Sequence, residues 1–170
     1  MVWPAGSDKG RAPQMLLFNG SKTVSISPGA ALVSDPVDCA VTAGMDLSVA
    51  LYITGLPATL TAHPGARATS FIAPGNTLDD SKAAGAPQIC TRWYFLCGVD
   101  VLSHSATALA ILGDSITDGY GCSPDSYSRW VDGFARRLQT NPATADVAVL
   151  NLGIGGNRRA GAESPEAGRA

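Results

Sequence analysis

Residues 108–112, Ala-Leu-Ala-Ile-Leu, form a continuous apolar run that stops abruptly at Gly113-Asp114-Ser115. Such a run has no polar side to show to water, so it predicts a parallel strand covered on both faces. A helix is expected next. Ser126 or Ser128 can cap it, Trp130, Phe134 and Leu138 recur at i, i+4 and i+8, Arg136 and Arg137 suit its C-terminal end, and Asn141-Pro142 stops it. Val147-Ala148-Val149-Leu150 then reads as a second buried strand, leading into Asn151-Leu152-Gly153-Ile154-Gly155-Gly156-Asn157. The whole is a strand-helix-strand unit, whose chemistry-bearing loops belong at the C-terminal ends of the strands.

Upstream the pattern is different. From about Lys22 to Leu102, short apolar runs are separated by Gly, Pro, Asn and Asp, as in an antiparallel β-sandwich. The clearest strand is 46–53, where Leu47, Val49, Leu51 and Ile53 alternate with residues that look elsewhere. Further strands are expected at 23–26, closed by the Pro28-Gly29 turn, and at 69–72, 93–96 and 99–102. The stretch 74–87 has no useful period and reads as a surface loop. From Arg158 onward no large apolar residue occurs, which predicts disorder. The expected domains are therefore a sandwich over 15–104, an α/β unit over 106–157 and a disordered tail over 158–170.

Composition excludes several functions. With 12 Lys and Arg against 14 Asp and Glu, and the basic residues scattered, there is no electrostatic footprint for nucleic acid. No apolar run approaches the roughly 18 residues of a membrane span, and Met1-Val2-Trp3-Pro4 does not lead into a signal-peptide core. The chain reads as soluble. Cys39, Cys90, Cys97 and Cys122 form no CxxC pair and have no nearby His, which argues against a metal site. Disulfides and free thiols both remain open, free thiols being the simpler reading.

A serine placed where a buried strand turns over projects its hydroxyl above the sheet edge, near backbone N–H groups that can face a developing oxyanion. Ser115 has that place. Ile111-Leu112-Gly113-Asp114-Ser115-Ile116-Thr117-Asp118-Gly119 closely resembles the first block of the SGNH/GDSL hydrolases, and Arg129-Trp130 followed by an amphipathic helix is similar to that family too. Asn151-Leu152-Gly153-Ile154-Gly155-Gly156-Asn157-Arg158 resembles its second block, at a matching distance. The stretch from Leu17 through Val33-Ser34-Asp35-Pro36-Val37 to Trp93-Tyr94-Phe95-Leu96 resembles the β-sandwich extension of one branch of the family, without its first strands.

The resemblance implies a flavodoxin-like three-layer α/β domain, here only its beginning, preceded by a small antiparallel β-sandwich. It makes Ser115 the nucleophile, gives the oxyanion hole to the N–H groups of Ser115 and Gly156, and has Asp114 and Asp118 position the loop. It implies no cofactor and no metal, and an acyl ester of a carbohydrate, lipid or small alcohol as substrate. The parent protein of such a chain can be secreted. The family's Gly-x-Asn-Asp block and Asp-x-x-His pair do not occur after Asn157.

That absence bears on activity, because a serine hydroxyl is a poor nucleophile until a positioned base takes its proton. The two histidines, His63 and His104, are expected in a turn of the sandwich and just before the nucleophile strand, neither of them serving as the base. The reading is thus an incomplete, weakly active or inactive ester hydrolase, or a fragment that works once a separate chain supplies the imidazole. The glycines of 153–156 do not make a dinucleotide fingerprint, since Arg158 replaces the third glycine and no acidic partner follows. A competing reading has Trp93, Tyr94 and Phe95 as a sugar-stacking platform in a carbohydrate-binding sandwich, although aromatics on a strand are more often core.

Overall fold

The computed structural model describes residues 1–5, 12–78, 86–103 and 107–158. His104, residues 79–85 of the expected surface loop and residues 159–170 of the expected tail lie outside the described residues. The chain divides into two units, one of 1–60, 71–88 and 95–101, the other of 61–70, 89–94 and 102–170.

In the first unit, β1 (Val2–Pro4) pairs antiparallel with β2 (Leu47–Val49), Val2 opposite Val49 and Pro4 opposite Leu47. The sequence gives no hint of β1. Val2 is buried and also exchanges backbone hydrogen bonds with Gln14 at 2.9 and 2.8 Å. Elsewhere turns do the ordering. The two carboxylate oxygens of Asp35 accept from the N–H groups of Asn19 and Gly20 at 2.9 and 2.7 Å, in a turn where both residues have positive φ. Pro28-Gly29 forms the expected turn, with the Ala30 N–H on the Ser27 carbonyl and Gly29 at φ 78°, a value glycine adopts without strain.

The second unit begins with β3 (Ala62–His63), and a short strand, β4 (Ser70–Ile72), ends in the first unit. β5 (Gln88–Cys90) pairs with β4, and β6 (Trp93–Tyr94) pairs antiparallel with β3, His63 opposite Trp93. The main elements follow: β7 (Thr107–Gly113), α1 (Ser115–Asp118), α2 (Trp130–Thr140) and β8 (Val147–Gly153). β7 and β8 run parallel, in register from Thr107 opposite Val147 to Gly113 opposite Gly153. α2 packs on β8, and α1 touches both strands.

α2 turns inward a stripe that shares Phe134 and Leu138 with the one the spacing predicts but takes Val131 in place of Trp130. Val131 is buried and Phe134, Ala135 and Leu138 are half-buried, while Trp130 is half exposed. Neither Ser126 nor Ser128 caps it, because the helix begins at Trp130 with Arg129 in the cap position; the two serine hydroxyls bond each other at 2.7 Å. Instead the carboxylate of Asp132 reaches back to accept from the N–H of Arg129, the residue before the helix, at 3.0 Å.

The expected fold class is overturned. The described residues form four two-stranded sheets and two helices, neither a three-layer flavodoxin-like domain nor a β-sandwich. A sandwich needs the alternate residues of its strands to face a second sheet, yet Leu51 and Ile53 lie in no strand and are 45% and 40% exposed. Among the described residues, 23–26 and 99–102 form no strand either. The third layer is missing from the parallel pair as well. Ile111, Val147 and Val149 are half-buried on one face, but on the other Leu112, Leu150 and Leu152 are exposed. A continuous apolar run therefore does not here mean a strand covered on both sides.

No helix among the described residues is long and apolar enough to cross a membrane. All four cysteines are free thiols.

Candidate functional site

Ser115 opens a single helical turn that its neighbours must hold in place, since one turn is too short to be stable alone. Asp114 caps that turn, its Oδ1 accepting from the Ile116 N–H at 2.9 Å. Gly119 ends it at φ 111°, with its N–H on the Ser115 carbonyl. Two glycines let α1 lie against the strand ends. A β-carbon on Gly113 would come within 2.5 Å of the Thr117 β-carbon, and one on Gly153 within 2.4 Å of the Asp118 backbone nitrogen. The Asn151 side chain fastens the same turn by donating to the Thr117 carbonyl at 2.9 Å.

The two strand-end loops share one anchor. The Gly113 carbonyl accepts from the Ile154 N–H and from the Asn157 side-chain amide, each at 3.1 Å. Ile154 to Asn157 is a turn closed by the Asn157 N–H on the Ile154 carbonyl, with Gly156 at φ 77°. Among the described residues, the N–H groups of Ser115 and Gly156 and the hydroxyl of Ser115 have no hydrogen-bond partner. Ser115 is half-buried and Gly156 exposed.

His63 stands elsewhere than expected. It belongs to the same unit as Ser115, and its Nε2 lies 2.6 Å from Oδ1 of Asp118, the last residue of α1. A carboxylate only accepts, so the hydrogen is on Nε2. The Asp118 side chain is 11% exposed and that of His63 33%. The Trp93 ring stands edge-on to the imidazole, centroids 5.1 Å apart. Arg129 holds Asp118 from another side: its Nε donates to the Asp118 carbonyl at 2.9 Å and its Nη2 to the carbonyl of buried Ala66 at 2.7 Å. Gly65 completes the enclosure, because a β-carbon there would lie 2.6 Å from the second Asp118 oxygen.

A second tie joins the same segments. The N–H and hydroxyl of Thr69 both donate to the Asp125 carboxylate, and the Asp125 N–H donates to the Arg67 carbonyl at 2.9 Å. These hydrogen bonds hold the Asp125 carboxyl below its ordinary range. Sequence reasoning missed both ties. Residues 61–70 carry no periodic pattern, and a histidine beside a Pro-Gly turn does not announce a partner 55 residues away.

Among the described residues, no group of three His, Cys, Asp or Glu side chains could hold a metal ion. No protein-family model matches the chain, and no curated protein is similar to it.

Proposed function

We propose that the chain carries the nucleophile and oxyanion loops of a serine ester hydrolase of the SGNH/GDSL type. The observation that carries this reading is an unengaged serine hydroxyl at the C-terminal end of a parallel strand, beside a glycine loop with a free N–H and anchored to it through one carbonyl. Ser115 Oγ would bond the carbonyl carbon of an acyl ester while its proton passes to a base. The N–H groups of Ser115 and Gly156 would face the oxygen that becomes negative. Collapse expels the alcohol, and water then releases the acid from the acyl-serine. A carbohydrate, lipid or small-alcohol ester fits this chemistry equally.

Turnover by this chain is expected to be slow. Among the described residues no imidazole is hydrogen-bonded to the Ser115 hydroxyl: His63 gives its Nε2 hydrogen to Asp118, and no hydrogen bond joins its Nδ1 to the serine. An unassisted serine hydroxyl reacts poorly at neutral pH. The sugar-platform alternative finds no support in Trp93, which is half-buried with His63 against its ring.

The test is covalent. A fluorophosphonate probe should add once to the protein, as read by intact mass, and not at all to Ser115→Ala. Equal labelling of both proteins would overturn the assignment. An added chain that supplies an imidazole should speed labelling of the wild type alone.

A further inference from the structure

We propose that His63 is a positioning residue for Ser115, acting through Asp118. The inference deepens the hydrolase reading and, for its reactivity arm, rests on it. α1 is a single turn with Ser115 at one end and Asp118 at the other. The Ser115 end is fixed by the Asp114 cap. The Asp118 end is fixed from outside the turn, by the His63 imidazole on its carboxylate and the Arg129 guanidinium on its carbonyl.

These two holdfasts are themselves joined, because Arg129 also grips Ala66, three residues after His63. The Asp118 carboxylate is nearly enclosed, with Gly65 on one side and, at 3.5 Å from a β-carbon built there, Gly155 of the glycine loop on the other. Such a carboxylate has little water of its own, so losing the imidazole leaves a poorly solvated charge and favours a movement of the turn that relieves it. The movement would carry Ser115 with it. Asp118 is thus the joint through which a residue 52 positions upstream of the serine sets the direction of its hydroxyl.

The experiment compares wild type with His63→Gln, His63→Ala and Asp118→Asn, each at a temperature well below its own unfolding midpoint. Two readouts are taken: the rate of fluorophosphonate addition to Ser115, and amide hydrogen exchange over 115–119. Glutamine keeps an N–H that can reach the carboxylate, whereas alanine keeps none. The expected result is labelling within about 3-fold of wild type for His63→Gln and at least about 10-fold slower for His63→Ala, with exchange over 115–119 faster only in the alanine variant. Asp118→Asn, which is uncharged and keeps an oxygen that can accept from His63, should stay closer to His63→Gln than to His63→Ala.

Unchanged exchange in folded His63→Ala would overturn the proposal, as would glutamine and alanine behaving alike. If no variant, wild type included, is labelled while exchange still separates Gln from Ala, His63 does position the turn and it is the hydrolase reading that fails.

Discussion

Seven consecutive residues of β7 pair in register with seven of β8, whereas the pairing of β1 with β2 covers only three residues on each strand. The long ladder fixes where Gly113 and Gly153 lie, and those glycines admit α1 close to the strand ends. Among the described residues of 1–60, order comes from the short β1–β2 pairing together with turns and Asp35 holding two N–H groups. Large side chains there remain in water, Val33 at 79% and Leu56 at 73% exposed. What separates the two regions is less the amount of apolar sequence than whether a regular ladder brings backbones close enough for polar groups to meet.

The comparison breaks most readily at Gly153. Gly153→Ala drives a methyl group into the backbone of α1 and should lower stability by about 3 kcal/mol, read from urea unfolding followed by circular dichroism. A change below about 1 kcal/mol would mean that α1 is not closely docked. Arg129→Met removes two hydrogen bonds to part-buried carbonyls and should cost about 2 kcal/mol in the same assay.

A smaller effect is expected at Asp125. Its carboxyl titrates lower in the folded chain than in the unfolded one, so its contribution is present above about pH 3.9 and is lost as pH falls through the lower folded value. Asp125→Asn should therefore flatten the acid limb of the stability curve slightly, the effect being small because the group is exposed to solvent. An unchanged acid limb would sever the 67–69 tie. At the far end, Leu56→Ser in the turn-held region should shift stability by no more than about 0.5 kcal/mol, since the side chain has little burial to lose. A larger loss would show that the region has packing of its own.

Much of the 107–153 unit was legible because its patterns are local. The apolar runs, the stop at Asn141-Pro142 and the helical period each sit within a dozen residues, and they place β7, α2 and β8 to within three residues at each end. The prediction of a second covering layer failed because hydrophobic content states a demand for burial without naming what meets it, as exposed Leu112 and Leu152 show. Alternation over 46–53 likewise predicted a strand but not its partner, which lies near the start of the chain at 2–4. Ser115 and Gly156 were marked by the resemblance of the loops around them to known motifs, which are local in sequence. The His63–Asp118 pair could not, since neither its histidine nor the Gly65 that encloses it shows any spacing tied to the serine.

The double acceptance at the Gly113 carbonyl gives the two strand ends a common hinge pin. Because one oxygen latches both the start and the finish of the turn at 154–157, that turn cannot swing outward without unlatching the peptide just ahead of Asp114. The serine turn and the glycine loop therefore share one fastening, and their spacing is set at that single oxygen.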